Sequence, residues 1–306
     1  MPLTRRRFLV IAAGLPLVSA KRGYSATDEL YEWRGVALGA DAVIRLIHPQ
    51  APDLVSAAVA EIRRLEQVFS LYDAQSALCQ LNRDRRLTAP PVELLAVLAL
   101  SGQVHAASDG AFDPTVQPLW QEYAKAWAKG AAPSDDVLID AQELVGFARV
   151  SYSEEEILLQ PGMALTLNGI AQGQIADRVV ALLGTAGVQN VLVDAGEIAT
   201  LGRAPDGGEW PVKIAGSRRV GLSNRALATS APLGTAFDPE GRVSHILDPR
   251  SGKPAARIWR QISISAGSAA VADALSTAAC LLPDDTSIRH LLSKFDHAVL
   301  VDLQSA

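Results

Sequence analysis

Aromatic side chains make up only 5% of this 306-residue chain. Its core must therefore be built mainly from aliphatic residues. Cysteine is scarcer still, with only Cys79 and Cys280, far apart and without the close spacing of a metal site. Each lies in an apolar helical context, which fits two buried thiols or a disulfide in an oxidising compartment. Positive charge is not in excess. The formal net charge of −5 argues against nucleic acid as a partner. Internal repeats, low-complexity tracts and interdomain linkers are missing, and the apolar run Phe8–Ala20 is too short to span a bilayer.

That run belongs to an export signal. Thr4-Arg5-Arg6-Arg7-Phe8-Leu9 matches the twin-arginine pattern, and Val18-Ser19-Ala20 and Tyr24-Ser25-Ala26 offer cleavage sites. Cleavage after Ala20 removes three arginines and no acid, taking the formal charge from −5 to −8. The expected organisation is a leader over residues 1–26 and one domain over 27–306, in a bacterial periplasmic protein that does not span the membrane once the signal is cleaved.

The remaining sequence intermingles helices and strands, which predicts a single compact α+β domain with mixed or antiparallel sheets. Tyr31–Ile47 reads as one or two strands with turn or bulge points at Gly35 and Gly39. A helix capped by Asp53 follows, then apolar helices at 92–108 and 269–282. Residues 150–159 and 163–167 are expected to form a hairpin around Gln160-Pro161-Gly162. The stretch Leu165–Ile198 organises the chain: a strand, a small-residue turn Asn168-Gly169-Ile170-Ala171-Gln172-Gly173, a helix closed by Gly187, and a strand Val191–Val193. Such a turn can present backbone N–H groups and a helix N-terminus to an anion.

Four groups could carry chemistry. Asp273 and Thr277 lie one helical turn apart and can share a hard cation such as Mg²⁺; alternatively Thr277 bonds its own helix and Asp273 is solvated. His245 near Asp248 suits a general base, or a hydrogen bond that merely fixes the turn. Thr229 and Ser230 form a hydroxyl pair at a strand end, and Tyr72 could stack on a planar ring. Asp113 before Pro114 is a natural helix cap, and Trp120, Tyr123 and Trp127 share a packing face.

In chain order these segments resemble the ApbE family of FAD:protein FMN transferases. The resemblance rests on Phe69-Ser70-Leu71-Tyr72-Asp73, Gly110-Ala111-Phe112-Asp113-Pro114-Thr115-Val116, Asn168–Gly173 with Ala176-Asp177-Arg178, and Asn190–Gly196. Ala228-Thr229-Ser230, His245–Gly252 and Ala272–Ala278 complete it. The resemblance implies a T-fold-like domain with a nucleotide cleft between sub-halves. It implies an enzyme that binds FAD with Mg²⁺ and moves the FMN half to a Ser or Thr hydroxyl of an acceptor protein, releasing AMP. By the same resemblance, Asp273, Thr277 and the Ala171 carbonyl hold the metal. Tyr72, Asp113, Asn168, Gly169, Gln172, Asp177, Thr229 and Ser230 hold the nucleotide. His245, positioned by Asp248, assists the acceptor hydroxyl. Asn168 and Gln172 depart from the family turn Gly-Gly-Ile-Ala-Lys-Gly, so a phosphate-facing lysine is lost. Asn168–Gly173, Asp194-Ala195-Gly196-Glu197-Ile198 and Ser230–Gly234 are similar to the NosX branch, whose acceptor is the membrane protein NosR in nitrous oxide reductase maturation. The alternatives are an FAD pyrophosphatase releasing FMN and AMP, and a non-catalytic flavin-binding assembly factor.

Overall fold

The computed structural model describes residues 29–214, 216 and 218–306. The export signal expected over residues 1–26 lies outside the described residues. Strands β1 (Leu30–Ala37) and β2 (Ala40–Ile47) form a hairpin whose turn uses Gly39 at φ +78°. Gly35 is no turn. It lies within β1 beneath the Trp33 indole, which a Cβ there would strike. Helix α1 (Ala51–Phe69) follows, with Asp53 in its first turn and Gln50 at the cap. Helix α2 (Ala77–Asp84) is capped by the Ser76 hydroxyl. Strand β3 (Arg86–Thr88) leads to α3 (Val92–Ala107), then α4 (Gln117–Trp127) and α5 (Asp135–Gln142). Strands β4 (Ser151–Tyr152) and β5 (Glu156–Leu158) pair with each other and with β3.

Next come α6 (Ala171–Thr185), β6 (Val191–Asp194) and β7 (Ile198–Leu201), the separate pair β8 (Trp210–Lys213) and β9 (Arg219–Leu222), and β10 (Ala226–Ser230). The chain ends with the short pair β11 (Leu247–Asp248) and β12 (Lys253–Pro254), then β13 (Trp259–Ala266), α7 (Ala269–Ala279), α8 (Asp285–Leu292) and β14 (Val299–Ser305).

The main sheet runs β1-β2-β6-β7-β10-β13-β14 and is antiparallel throughout. This is the α+β domain the sequence predicts. Strand periodicity explains how its centre is buried on both faces, since alternate side chains point opposite ways. Along β6, Val191 and Val193 join the helical core while Leu192 joins the core under β8 and β9. Helices α6 and α7 pack closely on the sheet because glycine and alanine line their contact. A Cβ on Gly173 would fall 2.3 Å from the Ala269 carbonyl oxygen.

The segment 163–167 is not a strand and forms no hairpin with 150–159. It is buried and apolar, which mimics a strand in sequence, but its backbone is satisfied differently. The Asn82 carboxamide accepts from Leu165 N–H (2.7 Å) and donates to Leu165 C=O (2.8 Å), doing the work of a neighbouring strand. Both cysteines are free thiols, so the disulfide alternative is not realised; burial pushes the Cys280 thiol well up. No helix among the described residues is long and apolar enough to cross a membrane.

Candidate active site

One cavity of about 810 Å³ lies at the upper end of the range for small-molecule sites. Its walls come from β2, the 111–116 segment, the turn at 166–172, the β6–β7 turn, the end of β10, the loop 231–249 and α7. Elements distant in sequence are thus brought together by the order of strands in the sheet.

The α7 wall carries Asp273 and Thr277 into this cavity. Asp273 is 3% exposed, and its carboxylate accepts from Gly173 N–H at the start of α6 (3.2 Å). Thr277 Oγ1 stands against Gly169, where a Cβ would come within 2.8 Å of it, and 3.4 Å from Ser230 Oγ. The two alternatives for this pair are now separated. It is Ser276, not Thr277, that donates to the helix carbonyl of Asp273, and Asp273 is buried rather than solvated. Glycine at 169 is what lets the turn approach the helix.

Two further acids share the cavity, and sequence patterning gave them no role. Asp194 accepts from Gly196 N–H, and Glu197 accepts from Thr229 N–H (3.1 Å). Burial pushes the Asp194 carboxyl up to about 6 and Asp273 up to about 7, and it raises Glu197 well above the carboxylate range, with Asp273 adding repulsion. Buried acids of this kind favour a cationic guest. The Ser230 hydroxyl lies beside Thr277 Oγ1, and oxygen donors of this kind suit a hard divalent cation. No group of three or more His, Cys, Asp and Glu residues among the described residues could hold a metal by itself. Hydroxyl or carbonyl oxygens must therefore complete any such site; Thr277 lines the cavity, whereas Ala171, the first residue of α6, is not part of its lining.

His245 also lines the cavity. Its Nδ1 lies 2.8 Å from the Thr235 carbonyl and 3.2 Å from that of Pro232. Carbonyls can only accept, so Nδ1 carries the proton and Nε2 keeps its lone pair. Burial lowers the imidazole's pKa from the ordinary 6.5 and keeps it neutral. Asp248 does not orient this ring. Its carboxylate is bidentate to Arg250 (2.9 Å each) and also takes Arg250 N–H, so it builds the turn instead.

Other expected ligand residues divide clearly. Asn168, Gly169, Gln172, Thr229 and Ser230 line the cavity, as does Asp113. The Asp113 carboxylate is already committed to Thr115 N–H and Oγ1 and to Phe147 N–H, so the cap role is realised. Asp177 is not in the cavity. Its oxygens accept from Ser268 Oγ (2.6 Å), Ala269 N–H (2.8 Å) and Ala270 N–H (2.9 Å), tying α6 to the first turn of α7. Tyr72 is 71% exposed and outside the cavity lining. The aromatic side chains in the wall are Phe112 and Trp120, the latter held against Phe237 at 5.4 Å between ring centroids. Its helical spacing with Tyr123 signalled packing, and only the fold reveals that one edge of that cluster faces the cleft.

A family model described as the ApbE family matches residues 38–301. The FAD:protein FMN transferase of Chlamydia trachomatis is 30% identical over 249 residues, covering 74% of this chain and 77% of that protein. Its namesake from Haemophilus influenzae is 28% identical, covering 72% and 70%. Among solved structures, the apo form of the Pseudomonas stutzeri flavinyl transferase ApbE superposes with a TM-score of 0.77 at 27% identity, covering 87% of this chain and 89% of that one. The apbe protein of Thermotoga maritima gives 0.77 at 26% identity, covering 89% and 93%.

Proposed function

Because the chain belongs to the ApbE family of FAD:protein FMN transferases, we propose that its cleft holds FAD and passes the FMN half to an acceptor protein. The observation that carries this reading is His245. A neutral imidazole with Nδ1 fixed on two carbonyls leaves Nε2 as a base in the cavity that Asp273 and Thr277 also line.

The chemistry follows from that layout. A Ser or Thr hydroxyl of the acceptor attacks the FMN phosphorus, its proton passes to His245 Nε2, and the P–O bond to the AMP phosphate breaks. AMP leaves with the bridging oxygen. Proton removal of this kind contributes about 10²–10⁴-fold. Mg²⁺ held by Asp273, Thr277 and the Ala171 carbonyl would supply charge neutralisation at the diphosphate. Asn168, Gly169, Gln172, Thr229 and Ser230 line the wall that would meet the phosphates and ribityl chain, and Trp120 offers a face for a planar ring.

The twin-arginine pattern supports a periplasmic address, and the 168–173, 194–198 and 230–234 segments support the NosX branch with a NosR-like acceptor. The test is direct: incubate the purified protein with FAD, Mg²⁺ and a NosR-like periplasmic domain, then read flavin fluorescence in a denaturing gel. A covalent adduct at a Ser or Thr is expected. No adduct, where another ApbE enzyme labels the same acceptor, overturns that acceptor assignment. Release of AMP with no acceptor present would favour the pyrophosphatase instead.

A further inference from the structure

Gln172 lines an acid-rich cleft and brings it no positive charge. Its side chain is nine-tenths buried, lines the cavity, and leaves Nε2 without a hydrogen-bond partner. A Cβ on Gly196 would fall 2.2 Å from that nitrogen, so the glycine at φ +97° is what makes room for the carboxamide. An unpartnered buried donor in a ligand cavity is costly unless a ligand acceptor meets it.

The other sources of positive potential in the described lining are few. Arg34 and Arg45 both bond to Glu32, at 2.7 and 2.6 Å. His245 uses Nδ1 on backbone carbonyls. The α6 N-terminus has little left to offer an anion: Ala171 N–H bonds to Leu167 C=O (2.8 Å), Gly173 N–H to Asp273 (3.2 Å) and Gln174 N–H to Ile170 C=O (3.0 Å). Against these stand the acids Asp41, Asp113, Asp194, Glu197 and Asp273 in the same lining. Among the described residues, a diphosphate entering this cleft meets hydrogen-bond donors and two arginines that share one carboxylate, against five acids.

We propose that Gln172, as a neutral donor, makes this chain's hold on the FAD diphosphate conditional on a divalent cation at Asp273 and Thr277, so that the metal governs binding as well as turnover. The proposal rests on the transferase reading above. It predicts positive linkage between the two ligands, which must be reciprocal: FAD tightens Mg²⁺ by the factor that Mg²⁺ tightens FAD.

The test is equilibrium binding of FAD and riboflavin to the purified chain, by flavin fluorescence, in Mg²⁺ and in chelator without acceptor. FAD is expected to bind about 10- to 100-fold more tightly in Mg²⁺, the span of typical coupling energies. Riboflavin, which has no phosphate, is expected to be indifferent. Gln172→Lys should strengthen FAD binding in chelator and shrink the Mg²⁺ effect. Asp273→Asn, which keeps an acceptor for Gly173 N–H, should abolish the effect and covers the case of a lysine variant that does not fold. Equal FAD affinity in both conditions overturns the linkage and leaves the transferase reading standing. An equal Mg²⁺ effect on riboflavin, or an undiminished one in Gln172→Lys, also overturns it. No FAD binding in either condition overturns both.

Discussion

Asp273→Asn is expected to make the metal-free protein more stable while disabling it. In the fold the Asp273 carboxyl titrates near 7 instead of 3.8, because burial disfavours its charge and only Gly173 N–H offsets this. The sign follows from linkage. A carboxyl whose pKa is raised by folding binds its proton more tightly in the native state, so its contribution falls as pH rises from about 4 to about 7 and is flat above. At about 1.4 kcal/mol per pKa unit, the full penalty at pH 8 is on the order of 4 kcal/mol. Part of the rise is repulsion from Asp177, and a buried carboxamide has its own desolvation cost. About half, roughly 2 kcal/mol, remains for asparagine to remove. For a domain of this size that corresponds to a melting temperature about 3–4 °C higher. The assay is thermal melting followed by circular dichroism at pH 8 and pH 4.5, in chelator and in Mg²⁺. The variant should melt higher at pH 8 in chelator, and its advantage should shrink at pH 4.5, where the folded wild-type carboxyl is protonated. Mg²⁺ should raise the wild-type melting temperature at pH 8 and leave the variant unchanged. A variant that melts below the wild type at pH 8 in chelator would refute the reasoning, because an ionised Asp273 would then be a net stabiliser of the empty site.

His245→Gln should slow transfer by about 10²–10⁴-fold in single-turnover measurements while leaving FAD affinity intact. Because burial lowers the imidazole's pKa below 6.5, the wild-type rate should hold to pH values below 6.5 before protonation of Nε2 extinguishes it. Gly173→Ala should cost about 1–3 kcal/mol in urea unfolding, since the added methyl meets the Ala269 carbonyl at 2.3 Å and must part α6 from α7. Asp177→Ala should cost about 1.5–3 kcal/mol for its charge-assisted hydrogen bonds, and FAD titration of the folded variant should give a near wild-type affinity, as befits a carboxylate outside the cleft.

Much of the frame was legible in the residues. Periodicity marked the β1–β2 hairpin, α1, α3, α6 and α7, and the one-turn spacing of Asp273 and Thr277 put both on the side of α7 that faces the cleft. What periodicity does not encode is which polar group satisfies which backbone. The run 163–167 is as apolar as a strand, yet an asparagine some 83 positions earlier takes the place of a paired neighbour. Asp177 follows the phosphate-binding turn in the family pattern, but one helical turn rotates it away from the cleft and onto α7. Glu197 was legible only as part of the Asp194–Ile198 motif, because its importance arises from burial against Asp273, 76 positions later, which the antiparallel order of β6, β7 and β10 creates. Trp120 was hidden for the opposite reason. Its packing role is real, and the cleft uses only the edge that packing leaves uncovered.

Helices α6 and α7 each hold the other's beginning: a carboxylate on α7 receives an amide from the start of α6, and a carboxylate on α6 receives two amides from the start of α7. This exchange has a consequence for inheritance. Neither helix can be traded alone with a relative's counterpart unless the donor brings the same acid at the same turn, so the two segments, nearly a hundred residues apart, form one unit of recombination. Chimaeras cut between them should fail in proportion to the mismatch at Asp177 and Gly173, whereas cuts outside the pair leave this half of the cleft intact.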